Sequence, residues 1–285
     1  MTKKNIVVIY FSGTNVTATY AKAIAKELTK LGNQVRDFNI TPYASRQIPL
    51  AVEEYDGFIF GFPVYSDIAP GVVNEWLTKL DGKGKKCAMF FTYGGRTSGY
   101  AHFHTFQLLQ HAGFQVEFSA EFPGPHTYNV GGWTALTDRP NSNDMDVARN
   151  FAALAIQRFS APEPSGFILQ KPFGYKQAMD AKKNRPIRTE RGWTNPVRIT
   201  ETCDMCRLCE TECPTQSFNA DTGLSDFTTC IDCMHCVYIC PQQVIKINEG
   251  MKGAYQKFLS DYCLTEEMMS AKKSKLITHS WEASA

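Results

Sequence analysis

Eight of the chain's ten cysteines fall between residues 203 and 240. They run Cys203-x2-Cys206-x2-Cys209-x3-Cys213-Pro214, then Cys230-x2-Cys233-x2-Cys236-x3-Cys240-Pro241. Each member of the second run lies 27 positions after its counterpart, so the segment is an internal duplication. Two copies of one small unit, facing each other across a pseudo-two-fold axis, are the expected result. Thiols clustered this densely bind metal more often than they form disulfides when nothing points to secretion. Zinc is the plain alternative, but an all-thiolate zinc site needs two CxxC pairs, not two triplets each with a distal Cys-Pro. A cubane iron–sulfur cluster presents four iron corners, each taking one thiolate. A loop with a cysteine at every third position can curl round three corners, which leaves the fourth cysteine to serve elsewhere. Pro214 and Pro241 end the turn and remove a backbone donor where the chain departs.

Residues 196 to 249 resemble a bacterial-type ferredoxin with two 4Fe–4S clusters, and no cysteine of that pattern is missing. In such ferredoxins the fourth cysteine of each run ligates the other cluster. The resemblance therefore implies one cluster on Cys203, Cys206, Cys209 and Cys240, and a second on Cys230, Cys233, Cys236 and Cys213. Residues 198–250 carry eight acidic and three basic side chains, a net of −5. Such a face suits a basic partner, or is simply solvated.

These clusters need a reason to be attached to the N-terminal half. There, apolar β-branched runs alternate with helical spacing. Strands are expected at 5–11, 34–39, 57–62, 86–92 and 115–121, and helices at 16–31, 72–80, 103–109 and 147–159. In the first helix Tyr20, Ala21, Ile24, Leu28 and Leu31 share one face. The alternation predicts an α/β fold with a doubly wound parallel sheet, which binds ligands at the carboxyl ends of its strands. Three loops leave those ends: Ser12-Gly13-Thr14-Asn15-Val16-Thr17, Gly61-Phe62-Pro63-Val64-Tyr65-Ser66 and Thr92-Tyr93-Gly94-Gly95-Arg96. In order and spacing they resemble the phosphate loop and the two flavin-flanking loops of a flavodoxin, over residues 3 to 160.

That resemblance implies bound FMN. Ser12, Thr14, Thr17 and the backbone N–H groups of Gly13, Asn15 and Val16 would hold its phosphate. Pro63, Val64, Tyr65, Thr92, Tyr93, Gly94 and Gly95 would flank the ring, with Tyr65 and Tyr93 as aromatic neighbours. The family loop usually reads S-G-T-G-N-[ST]. Here Asn15 stands for the second Gly, and Val16 for the Asn. Asn tolerates left-handed backbone; Val16 removes a polar side chain, which puts weaker FMN binding, or none, among the expectations. Read plainly, the same loop is a strand-to-helix turn capped by Thr14 or Asn15.

Residues 122–142 form a long connection in which His126, Tyr128, Asn129 and Trp133 could cover the flavin or meet a substrate. A lone His there is more often an ordinary hydrogen-bonded residue. The domain reading is 1–160 flavodoxin-like, 161–197 a Pro-containing basic linker, 198–250 a small α+β ferredoxin unit, and 251–285 a C-terminal helix and tail. The linker's Lys182, Lys183, Arg185, Arg188 and Arg191 could pair with the acidic ferredoxin unit. Cys87 reads as core and Cys263 as incidental.

The net charge of +2 gives no prior for nucleic acid or membrane surfaces. No leader pattern and no apolar stretch near a membrane span's length are visible, so a cytoplasmic setting is expected. As a whole, the chain looks like the flavodoxin–ferredoxin fusion proteins of anaerobes. The resemblance implies single-electron relay between an external redox protein (a ferredoxin, reductase or oxidoreductase), the two clusters and FMN. The alternative is a flavin-dependent reductase of a small organic acceptor, fed through its own clusters. Partner, direction of flow and oligomeric state are not legible.

Overall fold

The computed structural model describes residues 3–279 except 185, 187, 193, 248 and 249. The N-terminal half builds β1 (Asn5–Tyr10), α1 (Val16–Lys30), β2 (Gln34–Asn39), β3 (Gly57–Pro63), α2 (Gly71–Leu77), β4 (Lys86–Tyr93), α3 (Ala101–His111), β5 (Gln115–Pro123) and α4 (Ser142–Ser160). The five strands pair in parallel in the order β2-β1-β3-β4-β5. That is the flavodoxin-like order, whose topological switch point lies between β1 and β3. The apolar runs are explained by burial on both faces. All of β3 is buried, with Phe58, Phe60 and Phe62 under α2 and α3 on one side and Ile59 under α1 and α4 on the other. Tyr20, Ala21, Ile24 and Leu28 are buried as their spacing predicts; Leu31 is not, because the helix ends before it and leaves it 48% exposed.

The segment after α4 is laid over this domain rather than hanging free. Glu117 accepts from the Ser165 backbone N–H at 2.8 Å, and Phe167 and Leu169 enter the core. Helix α5 (Tyr175–Lys183) follows, and Tyr175 bonds His104 at 2.8 Å.

The cysteine-rich unit comprises β6 (Val197–Arg198), α6 (Leu208–Thr211), β7 (Phe218–Asn219), β8 (Leu224–Ser225), α7 (His235–Ile239) and β9 (Ile245–Lys246). Its four strands form an antiparallel sheet in the order β7-β8-β6-β9. The duplication is visible in the backbone. Left-handed residues occur in pairs one repeat apart: Met205 and Asp232, Arg207 and Met234, Gln216 and Gln243.

The C-terminal part departs from a helix and frayed tail. It forms α8 (Met251–Asp261), α9 (Glu266–Ser270) and a strand, β10 (Lys275–Ile277), antiparallel to β5 at the sheet edge. Arg139 holds this return in place, pairing with Asp144 and donating to the Lys272 and Ser270 carbonyls. Three residues of strand carry too little periodicity to be seen in sequence. No described helix is long and apolar enough to cross a membrane.

Candidate functional site

The carboxyl ends of β1, β3 and β4 open into a cleft of about 400 Å³. Ser12, Gly13, Thr14, Val16, Thr17, Pro63, Val64, Tyr65, Thr92, Tyr93 and Gly94 line it; Asn15 and Gly95 do not. Asn15 adopts φ 67° at the start of α1, the conformation a glycine would take, and its side chain caps nothing. The cap is instead Ser12, whose Oγ accepts from the Ala18 N–H at 3.1 Å. Thr17 Oγ1 and Thr92 Oγ1 are 2.7 Å apart and tie the first loop to the third. The backbone N–H groups of Gly13, Thr14 and Asn15 donate to no group among the described residues. Consecutive free donors beside a helix N-terminus form a concavity for an anion.

Tyr65 is half-buried, its hydroxyl against Gly13, and desolvation pushes its pKa well up. Tyr93 is buried, and its phenol feels Glu121, Arg139 and Asp144. The 122–142 connection forms one wall. His126 packs on Gly94 and lies 4.5 Å from the Trp133 ring. Trp133 in turn meets Tyr255 and Phe258 of α8, each at 4.9 Å between ring centres. Burial lowers the His126 pKa to about 4, so this ring is neutral at pH 7. Phe258 and Tyr262 also line the cleft, as does Arg96, which pairs with Asp67 and lies over Tyr262. Sequence reasoning missed these α8 aromatics, because an isolated polar helix carries no sign of where it docks.

The thiols gather in two sets. Cys209 feels Cys203, Cys206 and Cys240, and these four surround a small cavity with Arg198 and Met205. Cys233 feels Cys213 and Cys230, and Cys236 feels all three. Burial pushes Cys209 and Cys230 up to about 11, so as thiolates they need a cationic partner. Among the described residues, no three or more His, Cys, Asp or Glu side chains are gathered closely enough to hold a single metal ion. The Ser217 N–H donates to Cys213 Sγ at 3.2 Å.

The two sets are not equivalent in surroundings. The Cys233 carbonyl lies against Gly13 of the first cleft loop, and His235 Nδ1 donates to the Gly13 carbonyl at 2.8 Å. Ile231 and Asp232 line the cleft itself. Arg188 forms two hydrogen bonds to Asp232 and also lines the cleft. Of the basic run, Arg191 donates to the Ser225 carbonyl at 2.6 Å and Lys182 to that of Ser66; Arg185 lies outside the described residues.

No family model matches the chain. Ferredoxin-2 of Chlorobaculum tepidum is 36% identical over 56 residues, which cover 17% of this chain and 90% of that protein. The chain belongs with the ferredoxins through this segment, behind a flavodoxin-like sheet. It is of the flavodoxin–ferredoxin type. Diflavin flavoprotein A 5 of Nostoc sp. is 33% identical to this flavodoxin–ferredoxin chain over 93 residues, 32% of the chain and 16% of that relative. Diflavin flavoprotein A 3 of Synechocystis sp. is 32% identical over 117 residues, 40% of the chain and 19% of the relative. The chain thus spans less than a fifth of either diflavin protein's length. Among solved structures, an archaeal flavodoxin covers 55% of this chain and 99% of its own, at 15% identity and TM-score 0.42. The fold assignment rests on the strand order, not on that likeness.

Proposed function

We propose that this protein relays single electrons between an external redox partner, two 4Fe–4S clusters and FMN. When bound, the clusters exchange electrons singly and the flavin singly or in pairs. One observation carries the reading: the loop of Cys230, Cys233 and Cys236 packs on the loop whose free N–H groups suit the flavin phosphate. Thiols gathered in fours, yet not closely enough for one shared ion, would fit a cubane that takes one thiolate per iron.

The duplication then supplies an order. Cys206 and Cys233 occupy the same position in their repeats, yet Cys206 is exposed and Cys233 buried. Met205 and Leu208, 39% and 40% exposed, correspond to Asp232 and His235, which face the cleft domain. Cys203, Cys206, Cys209 and Cys240 form the outer station, and Cys213, Cys230, Cys233 and Cys236 the inner one. An external partner meets the outer face.

The test begins with iron, acid-labile sulfide and extracted flavin per chain in protein purified without oxygen. About eight irons and about one FMN are expected. Rapid mixing with a low-potential reductant should then bleach the clusters and the flavin in sequence. Clusters that reduce while bound flavin stays oxidised refute the relay.

The aromatic wall of Trp133, His126 and Phe258 over the same cleft favours a second reading, a reductase of a small organic acceptor. It requires an acceptor that reoxidises the protein catalytically with a rate that responds to Trp133→Leu. Turnover indifferent to that change counts against it.

A further inference from the structure

Arg46 stands in the turn after β2, far from any cysteine in sequence. Its Nη1 donates to the Ile40 and Thr41 carbonyls at 2.6 and 2.9 Å. Its Nη2 donates to the Pro214 carbonyl, one residue beyond Cys213. With the Pro42 carbonyl, which accepts from Nη1 at 3.4 Å, four backbone carbonyls from two parts of the chain thus hold the guanidinium still. None of them neutralises it. Among the described residues no carboxylate forms an ion pair with Arg46, and its acidic neighbour Glu75 is paired with Lys79. The other groups whose charge it feels are Tyr43, Cys213 and Cys233. A part-buried cation satisfied only by dipoles is costly unless an anion completes it. Besides Glu75, which Lys79 already pairs, the thiolates of Cys213 and Cys233 are the anions it feels.

We infer that Arg46 of the flavodoxin-like domain is the countercharge of the inner cluster and raises its reduction potential. The inference rests on the relay reading above. Adding an electron makes a thiolate-bound cluster more negative, and a fixed cation nearby favours that state. Arg46 would then act through space on the inner cluster, as a positioning and tuning residue. Arg198, beside Cys203 and Cys206, makes a difference between the two clusters in one protein uninformative. The change on substitution is the informative quantity.

The experiment is a redox titration followed by electron paramagnetic resonance on the full chain, for the unaltered protein, Arg46→Gln and Arg46→Lys. Iron, sulfide and flavin contents are measured on the same samples. Arg46→Gln should disfavour reduction of one cluster at least tenfold, which is about 59 mV for a one-electron couple, and leave the other unmoved. Arg46→Lys, which keeps the charge, should move it less. Two intact cluster signals with unchanged potentials in Arg46→Gln overturn the role of Arg46 while leaving the relay standing. Fewer than two cluster signals in the unaltered protein removes the relay reading, and this inference with it. If Arg46→Gln fails to load one cluster, its retention in Arg46→Lys supports the charge argument, because charge is what the two variants differ in. Loss in both variants overturns it, since hydrogen-bond geometry would then be the requirement.

Discussion

A single methyl group at Gly13 should separate the two halves of this molecule. A Cβ placed there would meet the Cys233 backbone carbonyl and come within 2.7 Å of the Tyr65 hydroxyl. The carbonyl belongs to the cysteine loop and cannot swing aside like a side-chain tip. Gly13 has no left-handed φ, so an alanine suffers only from lack of space. Overpacking of this kind costs about 1–3 kcal/mol. Loss of the His235 Nδ1 to Gly13 hydrogen bond adds about 1 kcal/mol. The docked arrangement should therefore weaken by about 2–4 kcal/mol, which is roughly 30- to 1000-fold in the local opening equilibrium. Hydrogen exchange read by mass spectrometry over residues 228–240 and 10–20 measures that opening. Gly71→Ala is the control, because a Cβ at Gly71 meets nothing within 4 Å. Under the relay reading, Gly13→Ala should also slow flavin reduction while iron content holds. Exchange in Gly13→Ala equal to that in Gly71→Ala would show that the cysteine loop does not rest on Gly13.

Three further outcomes follow from the same geometry. Cys213→Ser should abolish the paramagnetic signal of the inner cluster and spare the outer one, since Cys213 groups with Cys230, Cys233 and Cys236; loss of the outer signal alone would reverse the cross-ligation. Arg139→Met leaves the buried Asp144 carboxylate without its ion-pair partner and releases the return to β10, so it should cost about 3–5 kcal/mol and lower Tm; an unchanged melt would deny Arg139 that role. His126 has its pKa held at about 4 by burial against an ordinary 6.5. Both folded and unfolded chains are neutral there above pH 6.5, so its contribution is flat. Between pH 6.5 and 4 only the unfolded chain takes up the proton, and stability falls. The full shift corresponds to about 3 kcal/mol. His126 is only part-buried at the cleft rim, so about half of that is expected. Chemical denaturation of His126→Gln from pH 7 to 4 should lose less stability than the unaltered protein, and equal slopes would contradict this.

Much of this molecule was legible because its signals are local. A parallel strand buried on both faces must be apolar throughout, and β3 reads that way in seven consecutive residues. A loop that curls around a cluster needs thiols at short fixed intervals, so the two cysteine runs declare themselves within 38 residues. The Asn15 substitution also explains itself locally, since Asn is among the few residues that accept its φ of 67°. What the sequence could not determine is which surfaces meet. His235 reaches Gly13 across 222 positions, and Arg46 reaches Pro214 across 168. Neither residue lies in a periodic pattern, and a histidine or arginine looks the same whether solvated or docked. The same limit hid the wall that Phe258 and Tyr262 make for the cleft, and the three residues of β10 that close the sheet edge. The duplicated repeats make the point most directly. Their cysteine spacings are identical, yet one face is solvent-exposed and the other is pressed against the cleft, because only one of two equivalent surfaces can occupy a single docking site.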